Sequence, residues 1–216
     1  MSHSIFIAGG TGYIGRSLIR RLVERNHSVR ALVRPGSERK VPDGCDVVVG
    51  SATHFESYAS LVQPARTFVH LVGVSHPSPA KAAEFHSIDL VSLKVSVKTA
   101  LASQVRHFIY LSVAHPAPIM KEYVAARLEG EEAVRASGLD VTILRPWYVL
   151  GPGHRWPYLL LPFYWLAWFS PSGRVSARRL GLVTLPQIVD AIVHAVEHPP
   201  NGIREVNVPE IRLGRF

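Results

Sequence analysis

Residues 5 to 15, Ile5-Phe6-Ile7-Ala8-Gly9-Gly10-Thr11-Gly12-Tyr13-Ile14-Gly15, decide how this chain folds. The apolar run Ile5 to Ala8 has the length of a short, fully buried strand. Downstream, Ile14, Leu18, Ile19, Leu22 and Val23 recur at helical spacing through Glu24. Strand, glycine turn and helix in that order are what a dinucleotide site requires. Gly9 permits the sharp exit from the strand, Gly12 lets the backbone approach a pyrophosphate, and Gly15 lets the helix pack closely on the sheet. The unpaired N–H groups at the helix start then face the phosphates, which makes Gly9, Thr11, Gly12, Tyr13, Ile14 and Gly15 the candidate contacts. An ordinary turn before a helix is the competing reading, and the ordered presence of all three parts argues against it.

Working outward, Ser28 to Arg34 has strand character and ends at the turn signal Pro35-Gly36. At the end of this second strand a site for NAD usually carries Asp or Glu, which accepts hydrogen bonds from the ribose hydroxyls. Arg34 stands there instead. A guanidinium cannot accept those bonds but suits a 2′-phosphate, and Ser37, Arg39 and Lys40 are near enough to join it. NADP is therefore favoured over NAD, the alternative being a loop of solvated charges. Further strands are expected at Asp46 to Val49, Thr67 to Val72, His107 to Leu111 and Val141 to Leu144. Helices are expected at residues 54 to 63, from Ala80 to Ser103, and from Ile119 to Ser137 ahead of Gly138. That alternation predicts an α/β protein with a Rossmann-type, doubly wound parallel sheet and a ligand crevice at the carboxyl ends of the strands.

The G-x-x-G-x-x-G spacing of Gly9, Gly12 and Gly15, with Tyr13-Ile14 before the last glycine, resembles the short-chain dehydrogenase/reductase superfamily. The likeness is to its extended and atypical branches that open with GGTGxIG, the epimerase/dehydratase-like and NmrA-like relatives. It covers about residues 4 to 152 and implies a Rossmann fold that binds NAD(P), without by itself implying catalysis. In that superfamily Leu71-Val72-Gly73 would pass beside the cofactor's second ribose. The segment Arg145-Pro146-Trp147-Tyr148-Val149-Leu150-Gly151-Pro152 resembles an RPxxVxGP stretch beside the nicotinamide, which adds Pro146 to the candidates. Ser51 departs from the Gly-Asp pair that often contacts the adenine.

The resemblance also implies a catalytic set of a Tyr, a Lys four residues later, and a Ser at the preceding strand end. There the phenol moves the substrate proton, the ammonium lowers the phenol's pKa and binds ribose, and the hydroxyl holds the carbonyl or alcohol oxygen. The matching positions are Tyr123, Arg127 and Ser112, so the motif reads Y-x-x-x-R. Arg keeps the charge with a different reach and geometry, and a Tyr/Arg pair at this spacing would serve equally as a surface pair.

The whole chain of 216 residues, 47% of them hydrophobic, suits one compact domain. Residues 1–152 are expected to form the NAD(P)-binding core and 153–216 a small cap packed on it. Within that cap we expect an aromatic segment from Trp156 to Phe169, a short strand near Gly181 to Thr184, a helix from Pro186 to His198 and a last strand at Glu205 to Val208. The aromatic segment has no Lys or Arg between Pro157 and Phe169, so packing inside the protein or in a homodimer is favoured over a membrane surface. The chain opens without a basic n-region and shows no run of about 20 apolar residues, so a cytoplasmic protein with no membrane span is expected.

The formal charge of +8 is dispersed, with no basic run of five or more and no nucleic-acid-binding motif, which reads as a solvated basic surface that also favours an anionic cofactor, and not as a nucleic-acid site. The single Cys45 reads as a packing residue. His194-Ala195-Val196-Glu197-His198 matches the H-x-x-E-H pattern, but Pro199-Pro200 ends its helix at once. Two histidines at a helix C-terminus explain it better than zinc, and no metal is expected.

Two functions from different classes remain open. One is an NADP(H)-dependent oxidoreductase, or a relative performing redox-assisted isomerisation, acting on a small hydrophobic carbonyl or alcohol. The other is a cofactor-binding regulatory or redox-sensing module without turnover.

Overall fold

The computed structural model describes residues 2–74, 77–152 and 171–216. Its main sheet has seven parallel strands: β1 (Ser4–Ala8), β2 (Ser28–Val33), β3 (Asp46–Val49), β4 (Thr67–His70), β5 (His107–Leu111), β6 (Asp140–Arg145) and β9 (Ile203–Asn207). They lie side by side in the order β3-β2-β1-β4-β5-β6-β9. A separate two-residue pair joins β7 (Val149–Leu150) to β8 (Val183–Thr184). The order reverses at β1 and β4, so the crevice where a ligand binds opens between their carboxyl ends.

Helices cover both faces, as a parallel sheet demands. On one side lie α1 (Tyr13–Glu24) and the later helix Leu185–Glu197. Leu18, Ile19 and Leu22 of α1 pack with Ile188, Ala191 and Ile192 over Ile5, Ile7, Val69 and Ile109. On the other lie α2, which runs Ala82–Glu84, a π-helical stretch Phe85–Leu90 and Val91–Ala102, and α3 (Lys121–Arg135). Leu93, Val97 and Val134 pack there over Phe6, Phe68 and Phe108. Because alternate strand residues face opposite ways, the same strands feed both cores. Register places Phe6 beside Phe68 and Phe68 beside Phe108, with ring centroids 5.2 and 5.3 Å apart. Such ring pairs contribute about 0.5 to 1.5 kcal/mol each beyond their buried area.

Several expected boundaries move. The strand expected to reach Val72 ends at His70. Residues 54 to 63 form the single 3-10 turns Phe55–Ser57 and Ala59–Leu61, because Ser57 Oγ turns back onto the carbonyls of His54 (2.7 Å) and Ser51 (3.1 Å). The long helix expected from Ala80 opens as a 3-10 turn (Pro79–Lys81) and then passes through the π stretch. α3 begins at Lys121, after Met120 at φ 57, and not at Ile119.

Of the segment expected as a cap, residues 153–170 and with them the Trp156 to Phe169 stretch lie outside the described residues. The rest of that segment comprises α4 (Pro171–Arg179), α5 (the helix Leu185–Glu197), β9 and α6 (Val208–Leu213), with β8 between α4 and α5. β9 joins the main sheet beside β6, with Ile143 opposite Glu205, and α5 completes the core under α1. The last strand stops at Asn207 and not Val208, because Asn207 and Glu210 form a capping box that starts α6.

Candidate functional site

The glycine turn has the geometry its sequence implies. Gly9 sits at φ 92, and a Cβ there would stand 2.7 Å from the Leu71 carbonyl carbon and 2.9 Å from Val72 N. A Cβ on Gly15 would collide with the Gly9 carbonyl oxygen and lie 2.8 Å from Gly10 Cα. No side chain larger than hydrogen fits either place without moving backbone. Gly12 caps α1 without a side chain, its own N–H donating to the Gly9 carbonyl at 3.1 Å. The first turn of α1 therefore presents its N–H groups to the space beside the turn.

That space is a groove of about 630 Å³. Gly9, Thr11 and Gly12 line its floor, Leu71, Val72 and Gly73 one wall, and Arg34, Ser37 and Lys40 the other. Arg34 and Lys40 are exposed, and no ion pair to either is found among the described residues. Arg39 is not part of the lining. Ser51 borders the groove, but its hydroxyl lies 2.9 Å from Thr53 Oγ1 and 3.0 Å from His54 Nδ1 in a local knot. The remaining candidates lie around the groove and outside its lining. Ile14 packs against the first core, and a Cβ on Gly151 would collide with the Tyr13 hydroxyl. Pro146 is buried, and its carbonyl accepts from Ala114 N at 2.9 Å.

The groups at the ends of β5 and β6 are engaged with one another. Tyr123 and Arg127 do meet, but through the ring: Arg127 Cζ is 5.1 Å from the Tyr123 centroid, and Phe85 meets the same ring edge-on at 5.1 Å. No hydrogen bond joins Tyr123 to Ser112 among the described residues. Arg127, 6% exposed, donates from Nη1 to the Leu111 carbonyl (3.0 Å) and from Nη2 to Asp89 Oδ2 (2.9 Å). Burial opposes its charge, yet Tyr123, Tyr110 and Asp89 together raise its pKa above the usual value.

Ser112 is likewise engaged, donating to Glu131 Oε1 at 2.6 Å. A hydroxyl has one proton, so Ser112 offers the crevice only acceptor capacity while that bond holds. Glu131 also receives Arg145 Nε at 2.9 Å. Arg145 and Arg135 both pair with Glu205 on β9, closing a network across α3, β6 and β9. Burial works to raise the Glu131 pKa, but hydrogen bonds from Arg145 and Ser112 outweigh it and hold the carboxyl below the usual range.

Asp89, Glu131 and Arg145's role in the network were not read from sequence. The signal lay in position: Asp89 falls between Phe85, Leu93 and Val97 on one helical stripe, and Glu131 shares a buried face with Val124 and Val134. An acid on an apolar stripe needs a buried partner. The other motifs resolve as packing. Glu197 of H-x-x-E-H turns away to Arg25 (2.7 Å) and His27 (3.1 Å), while the His194 and His198 rings stack at 4.2 Å. Burial pushes the Cys45 thiol up to about 11, which leaves it a poor nucleophile. Among the described residues no helix is long and apolar enough to cross a membrane.

Comparison with known proteins agrees with this geometry. A family model described as NAD(P)H-binding matches residues 9–154. Ceramide reductase from Caulobacter vibrioides is 28% identical over 151 residues, covering 69% of this chain and 47% of that protein. The photosystem II assembly factor Ycf39 of Cyanophora paradoxa is 28% identical over 152 residues, 66% of this chain and 44% of its own length. The chain thus spans about half the length of these relatives. Among solved structures, the Bordetella bronchiseptica enzyme WbmH in complex with NAD+ superposes with a TM-score of 0.72 at 21% identity, over 97% of this chain and 79% of that one.

Proposed function

The chain belongs to the NAD(P)H-binding family, and from that premise we propose that it binds NADP(H) in the glycine-turn groove and reduces or oxidises a small hydrophobic carbonyl or alcohol. The observation that carries the cofactor preference is that Arg34 and Lys40 stand on one groove wall with no ion pair to either among the described residues. Guanidinium and ammonium groups so placed suit a 2′-phosphate, and the backbone cradle at Gly9, Gly12 and Gly15 suits a pyrophosphate. When bound, the nicotinamide would donate the hydride in reducing a carbonyl and accept it in oxidising an alcohol. The protein's own residues hold the phosphates at the start of α1, flank the groove with Leu71 to Gly73, and present the Tyr123 phenol as the candidate proton donor beside Arg127. Ceramide reductase, a reductase by its name, is in keeping with this reading.

A second reading is favoured by a specific observation: Ser112 donates to Glu131 and Arg127 to Asp89, so two of the three groups of a reductase set are engaged internally. On that reading the chain is an NADP(H)-binding module that regulates or senses redox state without turnover. The deciding experiment measures NADPH oxidation against a panel of carbonyl compounds for wild type and Tyr123→Phe. Loss of about 10²- to 10⁴-fold in turnover with NADPH affinity intact supports proton transfer by Tyr123. NADPH binding without turnover of any panel member, or normal turnover by the variant, supports the module instead.

A further inference from the structure

Asp89 belongs to none of the sequence motifs, yet it lies where three elements meet. It is 4% exposed and sits in the π-helical stretch Phe85–Leu90, buried there with Phe85 and Leu90. Its Oδ1 accepts the Val74 N–H at 2.7 Å, and its Oδ2 accepts from Arg127 Nη2 at 2.9 Å. Arg127 continues the chain of contacts to the Leu111 carbonyl at the end of β5. A Cβ on Gly73 would collide with Arg127 Nη2 and stand 3.5 Å from Asp89 Oδ2, so the backbone leaving β4 lies directly on the ion pair. The same π stretch holds Phe85 against the Tyr123 ring.

We infer that Asp89 is a positioning residue for the cofactor's second half. Through Val74 N–H and Arg127 it fixes the Gly73-Val74 wall of the groove relative to the end of β5 and the helix bearing Tyr123. The inference rests on the reading that the groove takes NADP(H). Topology says which half depends on it: Arg34 follows β2 and Gly73 follows β4, with β1 between them. Strands lie about 4.8 Å apart, so the two walls are separated by about two such spacings. A phosphoadenosine held at the Arg34 wall does not reach the far side, whereas a whole dinucleotide must extend toward β4 and β5.

The test uses two probes, NADPH and the half-cofactor 2′,5′-ADP, titrated calorimetrically against full-length protein. Removing one member of a buried ion pair endangers folding, so the main variant is the double Asp89→Leu, Arg127→Met, which removes both charges at similar volume. The expected result is 2′,5′-ADP affinity within about twofold of wild type and NADPH affinity weakened by roughly tenfold or more, the worth of a lost orienting contact. A merely structural role would weaken both probes alike or neither. Asp89→Asn, which keeps the shape and an acceptor, is the second variant. In it the Val74 amide should exchange with solvent roughly tenfold faster while the shift in the NADPH to 2′,5′-ADP ratio keeps its direction. An unchanged ratio in whichever variant folds overturns the inference. Binding of neither probe by wild type overturns the cofactor reading first and the inference with it.

Discussion

Beyond the end of β2, Arg34 and Lys40 reach solvent with no ion pair among the described residues, whereas beyond β5 and β6 Arg127, Glu131 and Arg145 are each closed on a partner. Both regions lie at the carboxyl ends of the strands and carry cations. What differs is where the answering charge resides. A cation left open beside a backbone cradle is available to an external anion, and its removal leaves the fold intact. A cation or acid answered inside the protein holds elements together, and little of it is left for a ligand. On this comparison the β2 side is open to an external anion and the β5 side is first of all a strut, against which Tyr123 lies through its ring.

The largest effect that would break the comparison concerns the strut. Glu131→Ala removes the buried acid that joins Ser112 and Arg145, and should cost about 3 kcal/mol in denaturant unfolding, the lower end of the range for a broken buried pair, because Glu205 still answers Arg145. A loss under about 1 kcal/mol would mean that the network is decorative and that Ser112 and Arg145 are open to a ligand after all.

An acid titration of stability should come next in size. Burial holds the His70 pKa down at about 3, so its neutral form stabilises the fold fully above the ordinary 6.5, and that contribution is lost as pH falls from there toward 3. Hydrogen bonds from Arg25 and His27 hold Glu197 at about 2 against the opposing effect of burial. Its contribution is present above its usual 4.5 and is lost as pH falls toward 2. Wild-type stability should therefore decline continuously below pH 6.5, and Glu197→Gln should flatten only the part below 4.5. A flat acid limb in wild type would contradict the assigned pairings.

The smallest effect sharpens the other side. Arg34→Ala, Lys40→Ala and Tyr123→Phe should each change unfolding stability by less than about 0.5 kcal/mol, because no ion pair to Arg34 or Lys40 is found among the described residues and Tyr123→Phe keeps the ring that meets Arg127 and Phe85. A larger loss at Arg34 or Lys40 would place an internal partner on a side chain that the comparison leaves open for a ligand.

Legibility in the sequence divides along the same line. The cradle was legible because its signal is local: Gly9, Gly12 and Gly15 lie within a few residues, between a strand and a helix whose periodicities are unambiguous. Arg34 was legible because the position after β2 is fixed by the strand itself. The strut was not, since Asp89 and Arg127 are 38 positions apart and Arg145 and Glu205 60 apart. Nothing in either neighbourhood names the partner. Sequence could place Ser112 at a strand end but not say which way its proton points. The π stretch also hides in a helical pattern, because one extra residue in a turn leaves the apolar spacing nearly unchanged. The place of β9 in the main sheet was missed for a related reason. A short, half-exposed edge strand reads the same in a cap as beside β6, and only pairing decides.

The central claim is that the open cations beyond β2 recognise the 2′-phosphate of NADP(H). Titrating wild type and Arg34→Ala with NADPH and with NADH tests it most directly. Wild type should bind NADPH more tightly, by a margin of about 1.5 to 3 kcal/mol for each charge-assisted contact, and Arg34→Ala should remove most of the margin while leaving NADH affinity unchanged. Equal affinities for the two cofactors in wild type would contradict it.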